Sequence, residues 1–218
     1  MTSIQDFFET AYSQSSRYWW NVPYAYSTEP DDLAPSLLGQ ATLRHARSRP
    51  PGKALDVGSG EGVDAIRLAL LGWQVEALEL TVAGSEKIRR TARRLGLDVI
   101  VHQGDIREYE TNQIYDLVIC NGVLHYVADK SLVCEKLQRI TAIGGANVIS
   151  LWSDYSPVPE CHRIVEVYPD AERGAVVAAY KAWRKELLYF DRVKPEVAHD
   201  DMDPHVHSHI KMVAVKEG

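Results

Sequence analysis

The sequence predicts an α/β fold of the Rossmann-like, doubly wound kind, with helices on both faces of a mostly parallel sheet. Two observations carry this. From Lys53 onward, short apolar runs alternate with amphipathic stretches as strand, helix, strand, helix. The first of those runs ends in a glycine-rich turn, at the place where an open α/β sheet takes its ligand.

The elements follow in order. Lys53 to Val57 is an apolar run into Gly58, and Val63, Ile66, Ala69 and Leu70 then recur at helical spacing until Gly72. Gln74 to Leu80 is the second strand. Thr81 caps a helix whose buried stripe is Ile88, Ala92 and Leu95, ending at Gly96. Asp98 to His102 and Tyr115 to Cys120 are the third and fourth strands. Leu132, Val133, Leu137 and Ile140 mark a helix closed by Gly144 and Gly145, before a fifth strand from Asn147 to Leu151. A helix near Ala171 to Trp183 precedes a closing pair of strands, Glu186 to Val193 and His207 to Val215.

Two segments break that rhythm. Residues 1–50 hold two helices around an aromatic, proline-containing stretch from Tyr18 to Pro30, and residues 152–170 hold Pro157, Pro159 and Pro169. Both suit a cover over a ligand crevice. The 218 residues are therefore read as one domain: an N-terminal helical cover (1–50), a cofactor-binding core (51–152), and an acceptor-side segment with its closing hairpin (153–218).

Composition narrows the partners. With 45 % apolar and 25 % charged residues the whole chain can fold, and 30 acidic against 24 basic residues leave a net charge of −6. That sign weighs against nucleic acid and anionic membrane surfaces and favours a small-molecule substrate, with the protein itself a monomer or homodimer. The cationic run of Lys87, Arg89, Arg90, Arg93 and Arg94 reads as a solvated helix face. Cys120, Cys134 and Cys161 form no metal-type pair and suit reduced thiols, and Asp6 and Glu9 interrupt any signal-like apolar start, so a cytoplasmic location is expected.

The turn itself reads Asp56-Val57-Gly58-Ser59-Gly60-Glu61-Gly62. Its glycines let the backbone turn sharply and come close to a ligand, and amides at the following helix N-terminus point into the crevice. A dinucleotide loop would space its glycines as G-x-G-x-x-G, whereas here the third comes one residue early and Val63 stands where Gly or Ala is expected. Asp56 places a carboxylate beside the loop, which disfavours a diphosphate and favours a cationic or zwitterionic ligand. Glu79 lies 21 residues after Gly58, at the end of the second strand, where a carboxylate can accept hydrogen bonds from a ribose. Asp105 offers a carboxylate to an adenine amino group, and Ile106 an apolar side chain to its ring.

Together, Asp56-x-Gly58-x-Gly60-x-Gly62, Glu79 closing Val75 to Leu80, Gly104-Asp105-Ile106 and Tyr115 to Asn121 resemble the successive motifs of class I S-adenosylmethionine-dependent methyltransferases. The resemblance covers roughly residues 50–152. It implies a seven-stranded sheet of order 3-2-1-4-5-7-6 with the last strand antiparallel, and S-adenosyl-L-methionine as cofactor. Its binding set would be Asp56, Gly58, Ser59, Gly60, Gly62, Glu79, Leu80, Asp105, Ile106 and Asn121. The C-terminal helix-plus-hairpin pattern is similar to the TehB-like group, which methylates tellurite, selenium species and thiols.

Methyl transfer is an in-line displacement from a good leaving group, so the protein must mainly align acceptor with methyl and exclude water. Asn121 and His125 follow the fourth strand four residues apart and would face the crevice together, making His125 the first candidate base; a packing role is its alternative. His199, His205, His207 and His209 are half of the eight histidines. On a straight strand His205 and His209 would stand about 13 Å apart, too far for one ion. A metal site would need one His-x-His pair joined by Asp201, Asp203 or His199; the reading preferred here is an imidazole-lined acceptor pocket without metal, with His207 as a second catalytic candidate. Arg17, Trp19, Trp20, Tyr24, Tyr126 and Trp152 complete the expected acceptor side. The expected activity is methyl transfer to a small thiol, selenium or tellurium species. The alternatives are N- or O-methylation in biosynthesis, or a non-transferring binder or cyclase on the same fold.

Overall fold

The computed structural model describes residues 2–15, 28–29, 36–196 and 203–218. Arg17, Trp19, Trp20, Tyr24 and His199 lie outside the described residues.

Seven strands form one sheet in the order β3-β2-β1-β4-β5-β7-β6, as expected. They are β1 (Lys53–Val57), β2 (Gln74–Glu79), β3 (Val99–Gln103), β4 (Tyr115–Asn121), β5 (Thr141–Trp152), β6 (Arg184–Glu196) and β7 (His205–Val215). The first five run parallel, and β7 enters antiparallel between β5 and β6. The helices are α1 (Ile4–Gln14), α2 (Leu37–Arg47), α3 (Val63–Leu70), α4 (Val82–Leu95), α5 (Lys130–Arg139) and α6 (Ala175–Ala179).

Alternate strand residues feed opposite faces, which is why the central strands are apolar throughout. Leu55, Val118, Cys120, Ile149 and Met212 join the cluster that also holds Val133 and Leu137 of α5 and Val176 of α6. Ala54, Leu117, Ile119, Val148 and Val213 join the opposite one, with Leu38 and Ala46 of α2, Ala65 and Leu68 of α3 and Ile88 of α4. The helices start where the sequence offers caps: the hydroxyls of Ser3, Ser36 and Thr81 accept from Asp6, Gly39 and Gly84 N–H.

Several expectations need correcting. The helix anticipated over Ala171 to Trp183 contracts to Ala175–Ala179, because the Asp170 carboxylate accepts from Ala171, Ala175 and Val176 N–H and so fixes a turn before the helix begins. Gly144 and Gly145 do not close α5, which ends at Arg139; they sit inside β5. There Gly144 takes a φ of 77°, and a Cβ on Gly145 would lie 2.9 Å from the Asp116 carbonyl, so glycine allows β5 to close on β4. The cationic run is not uniformly solvated either: Lys87 is buried.

Candidate active site

The glycine-rich turn hangs from β2. Gly58 and Ser59 N–H both donate to the Leu78 carbonyl, at 2.8 and 3.1 Å. Gly58, Gly60 and Gly62 take φ values of 64°, 56° and 86°, the left-handed region. At Gly58 a Cβ would also lie 2.3 Å from Val123 Cγ2, so backbone strain and packing both demand glycine. Gly62 serves as the N-cap of α3, while Asp56, buried, accepts from Ala65 N–H at 3.1 Å.

Glu79 braces the same turn. Its carboxylate accepts from Gly60 N–H at 2.8 Å through one oxygen and from Thr81 N–H and Oγ1 at 2.9 and 2.6 Å through the other. Burial raises its pKa, an effect these hydrogen bonds oppose. Burial and the neighbouring Asp64 charge push Asp56 well above the usual carboxylate range. This end of the cavity is lined by four acids, Asp56, Asp64, Glu79 and Asp105, of which Asp64 and Asp105 are paired with Arg67 and Arg107.

All of this opens into a cavity of about 1130 Å³. Ser59, Leu80 and Asn121 line it. Asn121 is held by Ser150 Oγ, which donates to its Oδ1, and donates to Asp64 at 3.3 Å. Asp105 also lines the cavity but is forked by Arg107, with Nε at 3.0 and 2.9 Å from its two oxygens. Burial alone would raise its pKa; Arg107 outweighs that and holds it below the usual value. Ile106 is buried in the cluster that holds Leu78, Tyr115 and Val118 and is not among the residues lining the cavity.

The far end of the cavity is aromatic and imidazole-rich. His125 and Tyr126 lie on a 3-10 turn, Leu124–Tyr126, rather than an α-helix, and both still line the cavity. His125 is 3 % exposed, its Nδ1 has no hydrogen-bond partner among the described residues, and its ring stacks on Trp152 at 4.4 Å and 7°. Burial, with the neighbouring imidazoles, drives its pKa well below the ordinary value, so the ring stays neutral. Trp152 also stacks on His207 at 4.6 Å. Burial pushes His207 down to about 4 and His209 to about 3. Cys120 is buried with its thiol pushed up by desolvation, in keeping with no nucleophilic role.

Four residues not assigned to the site from sequence complete it. Glu9 of α1 accepts from Val82 and Ala83 N–H at 2.8 and 3.1 Å, capping α4 from across the cleft. Lys87 of α4 pairs with buried Glu61 of the turn at 2.5 Å and donates to the Ser15 carbonyl. Gly84 lets α4 approach the turn, since a Cβ there would lie 2.8 Å from the Gly60 carbonyl. His162, from the 3-10 turn Glu160–His162, faces His205. Only Lys87 left a local signal, its place beside the Ile88 stripe.

A profile described as "Methyltransferase domain" matches residues 49–190. Among curated relatives, a ubiquinone biosynthesis O-methyltransferase of Rickettsia prowazekii is 34 % identical over 98 residues, covering 44 % of this chain and 39 % of that protein. The corresponding Rickettsia akari protein is 26 % identical over 154 residues, 69 % and 61 %. This chain therefore spans less than two thirds of either relative's length. Among solved structures, TehB from Haemophilus influenzae superposes with a TM-score of 0.71 at 20 % identity, covering 82 % of this chain and 62 % of the other. The N-methyltransferase NodS from Bradyrhizobium japonicum, solved with S-adenosyl-L-homocysteine, gives 0.61 at 15 % identity, 95 % and 97 %. The profile match spans well over half of the sequence, and the chain belongs to the methyltransferase-domain family.

Proposed function

We propose that the protein transfers the methyl group of S-adenosylmethionine to a small-molecule acceptor held against His125, Tyr126 and Trp152, and that the attacking atom is a thiol or a heavier chalcogen. The observation that supports this best is the continuity of the cavity. One enclosure joins the turn and Glu79, suited to the nucleoside, to a wall of neutral imidazoles, and its size leaves room beside the donor for a compact acceptor.

In this reading Glu79 receives the ribose and the acidic end of the cleft receives the sulfonium and ammonium charges. Asn121, fixed by Ser150, orients the donor where β4 ends. His125 presents an uncharged ring that can take the acceptor's proton as the sulfur–carbon bond breaks and the new bond to methyl forms. Stacking on Trp152 fixes the plane of that ring, so little reorganisation is needed.

Transfer to oxygen or nitrogen is a second reading, favoured by the names of the ubiquinone O-methyltransferases and of NodS. Production of S-adenosylhomocysteine with thiols, selenite, tellurite, phenols and amines separates the two, and turnover with none of them would remove both. His125→Ala should lower kcat by about 10²- to 10⁴-fold for an acceptor that must lose a proton, with S-adenosylhomocysteine affinity unchanged by calorimetry. Unaltered kcat would reduce His125 to a packing residue.

A further inference from the structure

The histidines at the hairpin converge in a way that an acceptor pocket does not require. His205 Nε2 lies 3.2 Å from His162 Nε2 and 3.1 Å from His207 Nε2, and one nitrogen from each of the three falls within 4.8 Å of the others. Nitrogens held about 2.1 Å from a shared ion are spaced about 3.0 Å apart in octahedral and about 3.4 Å in tetrahedral geometry. The two short separations fall between those values.

Hydrogen bonds among the three imidazoles themselves account poorly for this convergence. His205 Nδ1 lies 2.8 Å from the Asp203 carbonyl, which can only accept, so the ring proton belongs on Nδ1. In that tautomer Nε2 carries a lone pair, and two other Nε2 atoms approach it. One in-plane lone pair serves one donor well, whereas a single cation serves three lone pairs at once. A carbonyl on the remote nitrogen is also the partner that orients a metal-bound histidine and strengthens its donation.

We propose that His162, His205 and His207 bind one divalent transition-metal ion of the zinc type, with Glu196 as the adjacent carboxylate that offsets its charge. Glu196 Oε2 is 3.7 Å from His205 Nε2 and 3.8 Å from His207 Nε2. Three imidazoles and one carboxylate form a borderline N/O ligand set suited to zinc rather than calcium or magnesium. The fold supplies the ligands from separate places. β7 pairs with β5 only as far as His209 opposite Trp152, so His205 and His207 overhang the sheet's edge, where β6 sets them opposite Glu196 and Lys194. Residues two apart on a strand point the same way. His162 arrives from the 3-10 turn and takes the place that a straight strand denies to His209, while Trp152 packs on both His162 and His207.

The ion's role rests on the methyl-transfer reading: it would hold the acceptor's lone-pair atom and favour its deprotonated form, with His162, His207 and Glu196 all lining the cavity. Metal binding itself does not depend on that reading, and the experiment keeps the two apart. Tag-free protein is stripped with chelator, loaded with Co²⁺ or Zn²⁺, and followed by elemental analysis, by visible Co²⁺ absorption and by competition with a chromophoric chelator. S-adenosylhomocysteine calorimetry runs in parallel as a test of folding. We expect one ion per chain, and affinity reduced about tenfold or more in each of His162→Gln and His205→Gln while S-adenosylhomocysteine still binds. Substoichiometric uptake, or uptake indifferent to both substitutions, would overturn the site. Stoichiometric metal without S-adenosylhomocysteine binding or methyl transfer would instead overturn the proposed function and leave the metal site standing.

Discussion

Glu79 has two tasks. Its hydrogen bonds to Gly60 and Thr81 shape the turn, while the carboxylate remains on the cavity wall. Glu79→Ala strips a buried acceptor from two backbone amides, so it should weaken S-adenosylhomocysteine binding by about 1 to 3 kcal/mol and lower the thermal midpoint as well. Calorimetry and a melting curve read the two effects separately, and unchanged affinity would remove Glu79 from the proposed ribose site. The glycines and Glu79 were legible because each is confined to one stretch of chain: a left-handed φ requirement and a strand-end position are local facts. The burial of Ile106 was not legible, because nothing local says on which side of β3's exit a side chain will turn; it joins the cluster of Tyr115 and Val118.

Elements were legible wherever periodicity and caps agreed, as in β1, α3, β2 and α4. They were misjudged where a long-range partner sets the boundary, as at Asp170 before α6. The Lys87–Glu61 pair shows the same limit. Spacing along α4 suggested a solvated stripe, but Lys87 meets an acid from the turn 26 residues earlier, with side-chain exposures of 10 % and 2 %. Removing one partner leaves a buried charge uncompensated. Lys87→Met should therefore cost about 3 to 5 kcal/mol in denaturant unfolding, and adding Glu61→Gln should recover most of it. Additive losses in the double variant would show that the two side chains act independently. The histidine cluster was half legible: the His-x-His spacing was visible, whereas His162 stands 43 residues away and only the folded chain brings it in.

For the whole molecule, the seven-stranded order was expected from the resemblance, and the cavity follows from it. Filling that cavity's wall with buried imidazole makes stability depend on pH. His125 has a folded pKa well below its unfolded value of 6.5, so above pH 6.5 both states are neutral and its contribution is complete. As pH falls below 6.5 the unfolded chain takes up a proton that the folded one refuses, and stability drops by up to about 1.4 kcal/mol per pH unit. Asp56 and Glu79, raised on folding, act with the opposite sign, gaining stability as pH falls through their folded values. The difference between wild type and His125→Gln isolates the imidazole: the gap in unfolding free energy should narrow between pH 7 and 5. A pH-independent gap would mean that His125 titrates normally.

The first helix is latched twice to the donor's side of the cleft, by Glu9 on the exposed amides of α4 and by Lys87 reaching the Ser15 carbonyl, while Phe8 and Tyr12 border the cavity. On the proposed reading, a spent nucleoside leaving by that route would wait for the helix to let go, and the latch would set a dwell time as well as an affinity. Glu9→Gln should then release S-adenosylhomocysteine faster in stopped-flow while its rate of entry changes less. An enzyme limited by product release would turn over more quickly once its doorway was loosened.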